Sequence, residues 1–211
     1  MANANTPFGL QVLRAGGAYD FNAQGNLYVV TSGDTNAMYL NDAMVVAAGG
    51  DGNGVPAITK NTSGTGLLRG SLQAIFPVFA GTSIAGTALS LETTNIPATK
   101  AANYYVLVDD DPTTVYMVQD DGVTTGNLVA ASCNLNSSLT ITAGASTTSP
   151  SGTVLLSSSF ANTSTLCMKL FGLVQGQSGG AGAGNAFGAY AKWQARINTS
   201  DMAPGVGATG A

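Results

Sequence analysis

The chain has 211 residues, with 7 Lys plus Arg, 11 Asp plus Glu and no His, so its formal net charge is -4 and only 9% of it is charged. Without imidazole there is no Ser-His-Asp or Cys-His site and no His-ligated zinc, and a pI near 4.4 argues against a nucleic-acid partner, whose phosphates demand a Lys/Arg surface. Polarity comes instead from 24 Thr, 17 Ser and 16 Asn, and Glu92 is the single Glu. Surface helix formers are scarce while Thr, Val, Gly and Asn abound, which predicts an all-β protein with many turns.

Residues 1–26 read as an extended N-terminal arm, carrying Pro7, Phe8, Leu10, Val12 and Leu13 among Asn, Gly and Ala. An arm of this kind either frays or docks on a partner. It has no basic segment followed by an apolar run, so no secretory signal is expected. Strand signals start at Leu27–Thr31, β-branched and aromatic, and resume at Ala43–Ala47. The hexamer Gly49-Gly50-Asp51-Gly52-Asn53-Gly54 is a turn by composition. Leu67–Phe79 is a longer apolar run, with Gly70 and Pro77 marking a bulge or an edge. The 22 uncharged residues from Gly70 to Leu91 could span a bilayer by length, but Gln73, Pro77, Gly81, Thr82 and Ser83 make them too polar.

Asn103–Val108 and Thr114–Gln119 are apolar on both faces, which predicts covered strands. Asp109-Asp110-Asp111-Pro112-Thr113 between them is turn chemistry, and the two are read as a β-hairpin. From Gly122 to Met168 there is no charge over 47 positions, and Leu128–Cys133, Leu139–Thr142, Thr153–Ser157 and Leu166–Val174 are strand candidates. A Gly-rich segment, 175–184, precedes a final strand. There Phe187, Ala189, Ala191, Trp193, Ala195 and Ile197 alternate with Gly188, Tyr190, Lys192, Gln194, Arg196 and Asn198. The expected organisation is an arm (1–26), a jelly-roll-like β-sandwich (27–198) and a flexible tail (199–211). Cys133 and Cys167 are expected as reduced, buried thiols, a bridge being the alternative.

Catalytic patterns are missing. There is no G-x-S-x-G, no S-x-x-K, no P-loop and no G-x-G-x-x-G. Asp109–Asp111 and Asp120–Asp121 stand at opposite ends of the expected hairpin, roughly 20 Å apart at ~3.3 Å per residue, too far for a glycosidase pair. The Asp triplet could bind calcium but lacks EF-hand spacing, and solvated turn caps are the plainer reading. Trp193, with Tyr190 or Tyr104/Tyr105, is the only candidate sugar platform, although a lone Trp in a strand is more often core. Mean hydropathy of +0.21 in so polar a chain suggests apolar surface that assembly covers.

Six segments carry a resemblance: Asn5-Thr6-Pro7-Phe8-Gly9-Leu10, Gly49 to Pro56, Asn95 to Lys100, Tyr104 to Pro112, Val118 to Gly122 and Asn185 to Trp193. In this order, spread over most of the chain, they resemble the capsid cement (decoration) proteins of tailed, especially short-tailed, bacteriophages. The resemblance implies a jelly-roll-like fold, a non-enzymatic virion structural role on the capsid exterior and synthesis in the bacterial host cytoplasm. It implies the major capsid protein as partner and self-association as a homodimer or homotrimer; composition, charge and the missing motifs add the expectation of no cofactor, metal, nucleic acid or membrane. The arm residues Pro7, Phe8, Leu10, Val12 and Arg14 are the expected partner contacts. A carbohydrate-binding module of a tail or fibre is the alternative.

Overall fold

The computed structural model describes residues 3–14, 25–76, 94–123, 125–174 and 185–202. Parts of the expected membrane-length stretch, the Gly-rich segment and most of the tail lie outside them. Among the described residues the regular structure is strand, interrupted by single 3-10 turns at Thr125–Asn127, Ala130–Ser132 and Ser157–Ser159. No helix among them is long and apolar enough to cross a membrane.

In chain order the strands are β1 (Gln11–Arg14), β2 (Asn26–Val30), β3 (Met38–Tyr39), β4 (Ala43–Gly50), β5 (Pro56–Lys60), β6 (Gly70–Ile75) and β7 (Asn95–Ile96). They continue with β8 (Tyr104–Asp109), β9 (Val115–Gln119), β10 (Asn136–Ser137), β11 (Leu139–Thr140), β12 (Val154–Leu155), β13 (Met168–Leu173) and β14 (Lys192–Ile197). The chain is all-β, and its larger strands form two units. One is a closed barrel in the order β2-β5-β4-β6-β8; the other is an antiparallel sheet in the order β1-β9-β14-β13-β10. The barrel closes through a parallel pairing of β2 with β5, Val29 facing Ala57.

Each unit has its own core. Val30, Met44, Ile58, Leu72, Val106 and Val108 fill the barrel. Trp193, Tyr116, Met168, Leu170, Ile197 and Leu155 pack beneath the sheet. β4 serves both: Met44 points into the barrel while Ala43 and Val45 join the sheet core. A strand that buries alternate residues in two different cores reads as apolar on both faces.

The turn at Gly49–Gly54 forms as its composition predicts. The Asp51 carboxylate accepts from the Asn53 and Val55 amides at 2.9 and 2.8 Å, and β4 and β5 are a hairpin around it. The second expected hairpin is not one. β8 pairs with β2 and β6 in the barrel, whereas β9 pairs with β1 and β14 in the sheet. Asp109–Thr114 does turn, the Thr114 amide donating to the Asp111 carbonyl at 3.1 Å, but it is a crossover from one unit to the other. Leu128–Cys133, read as a strand, instead contains the 3-10 turn at Ala130–Ser132, with the Ser132 hydroxyl donating to the Asn127 carbonyl. Its apolar content buries Leu128 in the sheet core without strand pairing. Cys133 and Cys167 are both free, and Cys167 is buried.

Candidate functional site

The expected partner-contact residues lie along the N-terminal segment, which is laced onto the chain's own body. Asn3 donates to the Ala186 and Ala189 carbonyls at 2.9 and 3.0 Å. Gln119 clamps the next turn, its Nε2 donating to Asn5 Oδ1 at 2.9 Å and its Oε1 accepting from the Thr6 amide at 2.9 Å. Gly9 takes φ +72° and passes so close to the Asn41 carbonyl that a Cβ would lie 2.4 Å from that oxygen, so only glycine fits. Leu10 then sits at 0% exposure in the sheet core, and Ser71 Oγ donates to its carbonyl at 2.7 Å. β1 follows as the sheet's edge strand, pairing Gln11 with Met117 and Arg14 with Val115. Pro7 and Arg14 are exposed, Phe8 and Val12 half-buried. Within the expected tail, Ser200 bridges Leu68, and Asp201 pairs with Arg69 at 2.9 Å.

The carboxylates are structural. Of the 11 acids, Asp20 and Glu92 lie outside the described residues. Every other one accepts hydrogen bonds or an ion pair within the chain. Asp42 binds Lys60 at 3.0 Å, Asp34 binds Lys100 at 3.6 Å, and Asp121 accepts from Ser157 Oγ. Asp120, at 0% exposure, accepts from the Trp193 indole N–H at 3.0 Å and from the Tyr190 and Gly122 amides at 2.7 and 2.9 Å. Asp110 accepts from Asn26 and, at 2.6 Å, from the Tyr28 hydroxyl, which Arg69 Nη1 also approaches at 3.1 Å. Burial and this carboxylate push the Tyr28 hydroxyl up to about 12. Asp109 and Asp110 are therefore buried staples, not the solvated caps expected from sequence, and Asp111 caps its own turn through Thr113. No group of three or more His, Cys, Asp or Glu among the described residues could hold a metal ion.

Asp109 is less fully bonded. Its Oδ1 accepts from Thr114 at 3.2 Å, but its buried Oδ2, like Asp201 Oδ1, has no partner among the described residues. Burial pushes its carboxyl up to about 6, with hydrogen bonds from Thr114 and the Asp111 amide opposing. The native state thus holds this proton more tightly than the unfolded chain does. Its contribution to stability is greatest below pH 4 and is lost as pH rises through about 6. Asp109→Asn removes the buried charge and is expected to raise stability at pH 7.5 by about 1–3 kcal/mol, with little change at pH 4.5. Urea unfolding at the two pH values checks this; a variant less stable than the parent at pH 7.5 would refute it.

Trp193 offers no sugar platform. It is fully buried, edge-on to Phe160 at 5.7 Å, with its N–H spent on Asp120. Tyr105 is half-buried, its hydroxyl donating to Asp51 at 2.6 Å.

The cations divide in a way that composition alone hides. Lys60, Arg69 and Lys100 are ion-paired. The other four, Arg14, Lys169, Lys192 and Arg196, form no salt bridge among the described residues, and all four belong to strands of the sheet. Lys169 stands directly opposite Arg196 across β13 and β14. Lys192 and Arg196 share a strand face, away from buried Trp193 and Ala195. Arg14 faces Val115, on the side of β9 where Met117 meets Gln194. One signal for this face was legible: in Lys192–Ile197, the polar set opposes the Trp193 set. The placement of Arg14 and Lys169 depends on register, which spacing does not fix.

Comparison with known proteins yields no match to a family model, to a curated protein or to a solved structure.

Proposed function

We propose that the chain is a virion structural protein that binds the outer face of the shell built by the major capsid protein and bridges neighbouring capsomers, with no catalytic step. The reading starts from the six cement-protein-like segments. The observation that carries it furthest is that every described carboxylate accepts at least one hydrogen bond or ion pair from within the chain, whereas the N-terminal segment lays an edge strand and exposed Pro7 and Arg14 on the surface. Carboxylates bound in this way hold a scaffold together and are poorly placed for acid–base work. An edge strand supported from one side by β9 offers backbone N–H and C=O groups to a neighbouring copy or to the shell. Several such contacts per capsomer act jointly through effective concentration, so each can be weak.

The test is made on heads of the parent virus with and without this protein. Heads lacking it are expected to release DNA at lower temperature and in low salt, and to recover when purified protein is added back. Equal stability of the two preparations would sink the proposal. A truncation refines it. Removing residues 1–6 deletes the Asn3, Asn5 and Thr6 bonds and is expected to weaken attachment while the fold persists. Removing 1–13 also takes Leu10 out of the core, at a cost of about 3 kcal/mol or more, and is expected to loosen the sheet itself. Circular dichroism melts of the two truncations separate these outcomes.

A further inference from the structure

We propose, building on the shell-binding reading, that the cation-bearing face of β14 and β13, flanked by Arg14 on β1, is the docking face and that it seats on an acidic protein surface of the shell. Arg14, Arg196 and Lys169 lie in one row across four strands, about 14 Å end to end at ~4.8 Å per strand, and Lys192 stands about 13 Å along β14. Four of the protein's 7 cations thus share one face of a chain whose net charge is -4. No described acid forms an ion pair with any of them.

Two of the charges are held in place by aromatic rings. Lys192 Nζ lies 5.8 Å from the centre of the Phe8 ring, and the Arg196 guanidinium 5.7 Å from that of exposed Phe171. Ring contacts restrain the side chains and lower the entropy lost on binding. Arg, Phe and Met, here Arg196, Phe171 and Met117, are also residue types enriched in protein interfaces.

The arrangement carries a cost in the free protein. Like charges directly opposite on a sheet repel, and Lys169 faces Arg196 with neither in a salt bridge among the described residues. Lys169 is further restrained by donating to the Asn134 carbonyl. A pair that weakens the isolated fold makes sense where a partner supplies the missing carboxylates. That partner is protein and not a polyanion. A local cluster of Asp and Glu on a shell protein meets only the basic face, whereas a nucleic acid or an anionic glycan long enough to run past that face comes within a Debye length of the acid excess elsewhere on the chain and is repelled there.

The experiment is co-sedimentation with parent heads stripped of this protein, using the full chain. Lys169→Glu/Arg196→Glu is expected to bind at least ~30-fold more weakly than the parent, and Lys169→Arg/Arg196→Lys within about 3-fold of it. Binding by the parent is expected to weaken on going from 50 to 500 mM NaCl. Single Lys169→Glu is expected to raise the unfolding midpoint by about 1–3 °C, since it turns a repulsive pair into an attractive one. Should the double reversal fail to fold, Lys169→Gln and Arg196→Gln singly carry the same test. If the reversed variant binds like the parent, the docking face is wrong although shell binding stands. If the parent does not bind heads at all, both proposals fall. If the parent binds heparin or duplex DNA at 150 mM NaCl as tightly as it binds heads, the acidic-protein assignment is overturned.

Discussion

Asp120→Ala is expected to destabilise the protein by about 3–5 kcal/mol, enough to leave much of it unfolded at 37 °C. Three donors converge on this one fully buried carboxylate: the Trp193 indole N–H and the backbone amides of Tyr190 and Gly122. Alanine leaves all three without an acceptor. Each orphaned buried donor costs about 1–3 kcal/mol, partly offset because a desolvated charge is also removed. The geometry prevents easy relaxation. Tyr190 is held at φ +62°, and its ring lies so close to Gly122 that a Cβ there would come within 2.5 Å of it. Asn185 fixes the same segment from the other side, its amide spanning the backbone N–H and C=O of Lys192 at 2.9 and 2.5 Å. Asp120→Asn keeps one acceptor oxygen and is expected to lose about half as much. Trp193 is the protein's single Trp, so its fluorescence during urea unfolding reports this site directly. A loss below 1 kcal/mol for Asp120→Ala would show that the three bonds do not hold the β9–β14 end of the sheet.

The same residues show what a sequence can and cannot disclose. Period-two alternation in the last strand placed Trp193, Ala195 and Ile197 on one face, and all three are core. The Gly49–Gly54 turn was legible because Asp51 caps its own backbone, a purely local interaction. The pairing of β8 with β9 was misread for the complementary reason. Their separation and the Asp-Pro turn suit a hairpin, but pairing is decided by which core each strand completes. Val106 and Val108 complete the barrel, and Tyr116 and Val118 the sheet. Leu10 illustrates the same limit. Nothing beside it in sequence signals burial, because its neighbours in space, such as Asn41 and Ser71, come from the chain just before β4 and from β6. The four-cation face lies between these cases, half readable from alternation in β14 and half dependent on register with β13 and β1.

Lys60→Met is expected to cost about 3–5 kcal/mol at pH 7.5, because it strips the cation from a carboxylate with no solvent contact. Asp42 is at 0% exposure and Lys60 at 7%, with Nζ 3.0 Å from Oδ2. Asp42 also accepts from the Tyr39 amide at 2.8 Å and from Ser151 Oγ, so it ties the start of β4 to the 151–153 segment. Burial already pushes its carboxyl above the ordinary Asp range, although Lys60, Ser151 and Tyr39 all favour the charged form. Without Lys60 that upward push is less opposed, and the native state binds the proton more tightly still. The sign follows from linkage: a raised native pKa means stability falls as pH rises through it. The loss caused by Lys60→Met should therefore be largest at pH 7.5 and shrink toward pH 4.5, where Asp42 can protonate in both states. Lys60→Met/Asp42→Asn removes both charges while keeping an amide oxygen for Tyr39 or Ser151, and is expected to recover more than half of the loss. Urea unfolding of parent, single and double variants at both pH values completes the cycle. A Lys60→Met loss that is the same at pH 4.5 and 7.5, or that the second substitution does not relieve, would assign the effect to lost packing of the Lys60 stem over the Tyr39 ring, which its Nζ approaches at 5.6 Å, and not to the buried charge.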